Sequence, residues 1–256
     1  MTEIENEIAL VIPSCDAYAD AWNPLIQGLQ HFWSDKGFPT YLITNYLRPT
    51  FHDVKVIAVG QDVSWSDNLI VALKNISEPY ILLNIDDLIL YHPINHSEVM
   101  KIISPFIIEK GDYLRLNPTP PGQGGKVTSK IPTGAPYRTS TQFSLWRKDV
   151  LQTLLRSGET AWDFEIKGSV RSDNFSLWYA SKVYLIRHVN LIIKGKVDPS
   201  AANTLRNVGI AVNNSRPVLS WIERLSLRLR ILRSKIFFLL FPPKIARSIR
   251  NLFASA

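Results

Sequence analysis

The chain has 256 residues, enough for one substantial domain or one domain with an appendage. Its 46% apolar and 20% charged residues exclude a disordered or fibrous protein, and a single cysteine, Cys15, excludes an internal disulfide and suits a reducing compartment. The net charge of +7 is uneven: residues 216–256 carry +8 and the remainder −1, so the body offers no basic surface for nucleic acid.

The N-terminus, with Glu3, Glu5 and Glu7, is acidic and unlike a signal peptide. In chain order, Ile8–Pro13 reads as a first strand, ending in the polar turn Ser14-Cys15-Asp16-Ala17-Tyr18. A helix follows over about Trp22–Trp33, with Leu25, Leu29, Phe32 and Trp33 on one side. Tyr41–Thr44 and Val54–Val59 are the next strands. Ser66 is expected to cap a helix carrying Leu69, Ile70, Leu73 and Ile76. A strand then runs into Asp86-Asp87, and a helix over Ser97–Glu109 is disturbed at Pro105. Tyr113–Leu116 is another strand. After Thr141 the pattern predicts a strand through Trp146, helices over Lys148–Arg156 and Asn174–Ser181, and a strand over Val183–Ile186. This alternation predicts an α/β fold, a mostly parallel sheet flanked by helices.

Pro79–Asp87 is the most informative stretch. An apolar run of this length bounded by polar residues reads as a central strand covered on both faces. Ligands of open α/β sheets sit beyond the carboxyl ends of such strands. Paired carboxylates there suit a hard divalent cation and, through it, a phosphate. The purely structural alternative is that they cap the next turn. Asn117–Arg138 breaks the alternation, with Pro118, Pro120, Pro121, Gly122, Gly124, Gly125, Pro132, Gly134 and Pro136. Such a loop suggests a flexible flap over a ligand, or a surface insertion.

Three features in sequence carry a resemblance: Trp65-Ser66-Asp67 opening a helix, the strand ending in paired acids, and the cluster Ala161-Trp162-Asp163-Phe164-Glu165. Over about residues 7–197 the chain resembles bacterial glycosyltransferases of the GT-A fold, as found in lipopolysaccharide and capsule gene clusters. The resemblance implies a GT-A-like (Rossmann-like) sheet, a nucleotide-sugar donor and transfer of one sugar to a growing glycan. It places Pro13, Ser14 and Asp16 at the base and ribose, and Asp67 near the nucleotide. Asp16 could equally be a turn residue, and Asp67 a helix-dipole partner.

Such folds carry Asp-x-Asp, whereas here Asn84 precedes Ile85-Asp86-Asp87. Asp87 would then hold Mn²⁺ or Mg²⁺ and Asp86 the ribose or sugar, or the reverse, with His188 completing the metal shell. Inverting members use a carboxylate base at the start of a helix, which points to Glu165 or Asp163, with Trp162 and Phe164 stacking on sugar rings or belonging to the core. Asp173 reads as an N-cap. Arg115 and Arg138 are the basic partners expected for the diphosphate. Lys194-Gly195-Lys196 either covers the phosphates or is a solvated turn.

From Trp221 to Phe241, apolar residues recur at spacings of three and four beside Arg224, Arg228 and Lys235, which predicts an amphipathic helix. Ile236–Phe241 is apolar all round. Pro242-Pro243 ends the helix, and a basic segment resumes over Lys244–Phe253. The chain thus divides into a glycosyltransferase-like domain, 1–215, and a basic tail, 216–256. Through residues 220–253 the tail is expected to lie on an anionic membrane surface, or else to pack on the body or a partner chain. No run of about 18 apolar residues could span a bilayer. The resulting expectation is a cytoplasmic, peripheral membrane enzyme acting on a lipid-linked glycan or glycolipid. The alternative is a catalytically weak scaffold of a glycan-assembly complex.

Overall fold

Every residue of Ile8–Pro13, strand β1, is buried, which requires cover on both faces of the sheet. Its side chains alternate between two cores. Ile8, Leu10 and Ile12 join one that includes Trp22, Leu25 and Leu29, and Ala9 and Val11 join another with Leu69, Leu73 and Leu151. The computed structural model describes residues 3–213, 215–242 and 244–248, without the side chains of 234–236 and 238–240. Most of the apolar run expected at Ile236–Phe241, and the expected segment beyond residue 248, therefore lie outside the described residues.

After β1 come α1 (Ala19–Phe32), β2 (Thr40–Thr44), β3 (Val54–Ala58), α2 (Trp65–Leu73), β4 (Tyr80–Leu83), β5 (Leu88–Leu90) and α3 (His96–Ile108). Then follow β6 (Tyr113–Arg115), β7 (Thr128–Lys130), β8 (Ser144–Arg147) and α4 (Lys148–Leu154). A continuous helical run consists of α5 (Ala161–Asp163), a π-helical turn (Phe164–Gly168) and α6 (Ser169–Arg171). Next are β9 (Trp178–Ser181), β10 (His188–Asn190), β11 (Ile192–Ile193), β12 (Lys196–Val197), α7 (Pro199–Asn207) and α8 (Trp221–Leu240).

The eight-stranded sheet has the order β3-β2-β1-β4-β8-β6-β9-β7. β3, β2, β1 and β4 are mutually parallel. β8 runs against β4, β6 and β9 return to the first direction, and β7 closes the edge antiparallel. The mostly parallel sheet expected from sequence is therefore present, with helices on both faces. β2 lies on one side of β1 and β4 on the other, so strand addition reverses between β1 and β4. The carboxyl ends of these two strands form the crevice in which open α/β sheets bind ligands.

Several local expectations change. The N-cap of α2 is Ser64, which accepts from Asp67 N at 3.1 Å; Ser66 is the buried second residue of the helix and donates to Arg156 O at 2.5 Å. The helix expected over Asn174–Ser181 is instead strand β9, because Trp178 and Ala180 fill the core between β6 and β7. The strand preference of Trp178 and Tyr179 agrees with that burial. Val183 and Tyr184 are exposed and do not form a strand, and the pairing with β5 is made by β10. The expected flap contributes β7 to the sheet edge.

The tail is fastened at two places. Before α8, Val197 N donates to Pro217 O and Leu219 N to Val197 O, both at 2.9 Å, and Lys196 pairs with Glu223 at 2.7 Å. After α8 the chain returns to the body. Ala246 is buried, and Arg247 donates to Ala135 O at 2.9 Å and Ser169 O at 3.0 Å and pairs with Asp173 at 2.5 Å. Asp173 is therefore not the helix N-cap expected from the sequence. It accepts from Arg247 and from Gly134 N (2.9 Å).

Phe164 holds the helical run against the sheet. Its ring packs, tilted, 5.7 Å from that of Trp146, which in turn lies 4.4 Å from Tyr113 and 5.5 Å from Trp178. Trp146→Ala should lower stability by about 3–5 kcal/mol, read as a shift of the urea midpoint. A loss under about 1 kcal/mol would mean that this cluster does not brace the fold.

Candidate functional site

The turn after β4 is fixed by Asn84, whose N–H donates to Val11 O (3.1 Å) and whose side chain donates to Leu88 O (3.3 Å). Asp86 and Asp87 are thereby set at the crevice between β1 and β4. Ser14, directly after β1, donates its hydroxyl to Asp86 Oδ2 in a short hydrogen bond, and Trp22 Nε1 donates to Ser14 Oγ at 2.7 Å. Asp87 receives Leu191 N at its backbone carbonyl (2.8 Å). With its amide turned to donate, Asn190 reaches Asp87 Oδ2 at 3.0 Å.

The pair carries more negative charge than its surroundings compensate. Burial pushes Asp86 up to about 6, against the pull of the Ser14 hydroxyl and the Arg216 charge. Burial and the adjacent Asp86 push Asp87 up to about 7. Burial and the charges of Asp62 and Asp86 also raise the Cys15 thiol. Asp87 Oδ1 is a buried atom without a hydrogen-bond partner.

These observations fit a cation. Two carboxylates and an unpartnered oxygen suit Mg²⁺ or Mn²⁺ shared with phosphates and water, the usual arrangement for Mg²⁺. They do not form an all-protein cage: among the described residues, no group of three or more His, Cys, Asp and Glu side chains is placed to hold a metal. His188, expected in the metal shell, lies on β10 opposite Leu90. Its Nδ1 lies 3.3 Å from Ile186 O, its ring is 5.2 Å from that of Phe143, and burial lowers its pKa. Asn190, two residues on, is the side chain that meets Asp87.

Sequence reasoning also missed Arg216. It forms a two-pronged pair with Asp20 (2.7 Å each), stacks 4.4 Å over the Tyr18 ring and bears electrostatically on Asp86. Its charge had been counted with the tail, since nothing local to Arg216-Pro217 points back to α1.

Asp16 and Asp67 sit at the carboxyl-end loops but have structural work. Asp16 accepts from Asn45 N (3.0 Å), Tyr46 N (2.9 Å) and Leu47 N (3.1 Å). Slight burial opposes these three bonds, yet they hold its carboxyl below the usual range. The result is a braced loop that presents Tyr46 to solvent. Asp67 is lowered by the Ser64 hydroxyl at 2.6 Å and by Gly158 N at 2.9 Å. Pro13 is the buried last residue of β1.

Arg115 and Arg138, expected at a diphosphate, are internal braces instead. Arg115 is buried and donates to Asn117 O, Tyr137 O and Pro120 O. Arg138 is buried over the Trp178 ring and donates to Ser172 O and Phe175 O. Both tie the Pro- and Gly-rich segment to the sheet. Lys194-Gly195 is the turn of the β11–β12 hairpin, and Lys196 opens β12 opposite Ile193.

The two candidate bases have different environments. Asp163 closes a capping box with Thr160 and pairs with Lys167 at 2.9 Å. The Thr160 hydroxyl and Lys167 hold it down at about 2. Glu165 lies in the π-helical turn, a geometry frequent at functional sites. One carboxylate oxygen, Oε1, accepts Thr141 N (2.7 Å) and Thr141 Oγ1 (3.0 Å). Burial raises its pKa against those bonds. Thr141 precedes β8, whose Ser144 pairs with Leu83 of β4, so Glu165 belongs to the same end of the sheet as Asp86. Of the flanking aromatics, Phe164 is core, while Trp162 is 67% exposed.

No protein-family model matches the chain, and a search of curated proteins finds no match. Among solved structures, S. aureus TarS 1-349 is similar at 14% identity and a TM-score of 0.45, over 68% of this chain and 60% of that one. The same protein in complex with UDP-GlcNAc is similar at 12% identity and 0.46, over 79% and 65%. A longer S. aureus TarS structure gives 14% and 0.46, over 69% and 37%. The chain spans less than two thirds of the length of each. At these values the resemblance carries over no residue role.

Between pH 4 and pH 7 the folded chain binds more protons at Asp86 and Asp87 than the unfolded chain does, so their contribution to stability falls as pH rises. Asp87→Asn should therefore raise stability at pH 8 by about 1–2 kcal/mol, after allowance for solvent screening. The gain should disappear by about pH 4. Urea titrations at the two pH values check this, and a variant less stable at pH 8 would contradict the charge burial.

Proposed function

We propose that this chain is a glycosyltransferase of the GT-A kind that takes its nucleotide-sugar donor in the Ser14–Asp86–Asp87 crevice. The observation that carries the reading is the undercompensated acid pair at the point where strand addition reverses. A half-buried pair of adjacent carboxylates with raised pKa values is costly unless a ligand supplies positive charge.

In this reading the base and ribose lie against Ser14 and the loop that Asp16 braces, with the exposed Tyr46 ring available for stacking. Asp87, with Asp86, would hold a divalent cation; when bound, such an ion acts as a Lewis acid on the departing diphosphate. Arg216 adds a fixed guanidinium beside the same crevice. Glu165 is the base: its raised pKa brings it nearer the operating pH, whereas Asp163, at about 2, is too weak a base to compete. As Glu165 takes the acceptor hydroxyl's proton, that oxygen bonds to the anomeric carbon. The bond from this carbon to the diphosphate oxygen breaks, and its electron pair leaves with the nucleoside diphosphate. Attack opposite the leaving group inverts the sugar. Trp162 offers a ring face to the acceptor. The acceptor class that fits the reading is a growing bacterial surface glycan carried on lipid, of the lipopolysaccharide or capsule type.

The test is calorimetric binding of a nucleotide-sugar panel, beginning with UDP-GlcNAc, in Mn²⁺, Mg²⁺ or chelator, together with donor turnover. One donor should bind in Mn²⁺, and Asp87→Ala should weaken it by about 30-fold or more, the effect of removing one charged contact. Glu165→Gln should leave donor affinity unchanged and slow transfer by about 100-fold or more. A folded chain that binds no nucleotide-sugar would sink the reading and favour a scaffold role. Binding that ignores chelator would remove the cation but keep the transferase.

A further inference from the structure

α8 has two unlike sides. At about 100° per residue, Glu223, Arg224 and Leu227 share one side, and all three are half-buried toward the body. The opposite side carries Trp221, Ile222, Leu225, Leu229 and Leu232, within an arc of about 100°. These five side chains are between 48% and 71% exposed. Arg228 borders the stripe on one edge and Arg233 on the other, both exposed. Five large apolar side chains in a row exceed the scattered apolar exposure of an ordinary monomer surface.

We infer that this stripe is a docking surface for an anionic phospholipid bilayer, on which α8 lies in the plane of the interface. The charge pattern selects this occupant. The helix's one acid among the described side chains, Glu223, points to the body and is already paired with Lys196, so the exposed edge is purely cationic. A second copy packed on the stripe would bring arginine against arginine. Lipid phosphates complement the same edge, while the apolar stripe reaches the acyl boundary. Among the described residues, no helix is long and apolar enough to cross a membrane, which agrees with a helix lying in the interface. The two fastenings, Lys196–Glu223 and Arg247–Asp173, hold the ends of the helix to the body. The surface stands whether or not the crevice binds a nucleotide-sugar.

The experiment is co-sedimentation of the full chain with vesicles of phosphatidylcholine plus phosphatidylglycerol, against phosphatidylcholine alone. Binding should require the anionic lipid and weaken as salt is raised. Arg228→Ala with Arg233→Ala should lower the affinity roughly 25-fold, at about fivefold per arginine. Leu225→Asp with Leu229→Asp should abolish binding without moving the urea midpoint, because both side chains face solvent. A folded chain that stays in the supernatant with anionic vesicles overturns the proposal. So does equal binding by the aspartate variant. A dimer dispersed by the aspartate variant, with no vesicle binding, would assign the stripe to a second copy instead.

Discussion

The partial burial of two adjacent carboxylates just beyond a fully buried strand is the constraint around which this fold is arranged. β4 can end in Asp86-Asp87 only because neighbouring elements soften the charge: β1 brings Ser14, β10 brings Asn190, and the segment before α8 brings Arg216. These three groups come from distant parts of the sequence, and they still leave both acids with raised pKa values. A site that holds unrelieved charge trades folded-state stability for a ligand's counter-charge, a common trade at functional sites.

The parts of the fold legible in the sequence were those fixed by burial. The runs at β1 and β4 could only be central strands, and the rule for carboxyl ends then placed the crevice beside Ser14 and Asp86. Capping was partly legible and was missed. Thr160-x-x-Asp163 and Ser64-x-x-Asp67 both have the spacing of a side chain that caps a helix and is capped in return; Asp163 closes that box, while Asp67 accepts from the Ser64 hydroxyl instead. Other contacts left no local signal. Arg115 and Arg138 bond mainly to backbone carbonyls, which any sequence supplies, so burial of their guanidinium groups could not be read from their neighbours. Asn190 and Arg216 meet their partners only through the sheet order. β9 is only four residues long, too short for periodicity to separate it from a helical turn even though Trp178 and Tyr179 favour a strand; its place between two strands decides its form.

The aromatic cluster connects these two levels. Phe164 is packed against Trp146, and the next residue, Glu165, is turned by the π-helical step toward Thr141. Packing thus sets the direction of a titratable group. A change in the core at Trp146 would be felt at the carboxylate as a change in orientation as well as in stability.

Fastening α8 at both ends has a mechanical consequence. A helix joined by one hinge lets a domain sway above whatever the helix rests on. A helix paired at Lys196 and followed, past its far end, by a second pair at Asp173 is tied to the domain on both sides. On any surface that holds the strip, the crevice stands at a set height and tilt. Movement between the strip and the crevice would then have to break one of the two ion pairs.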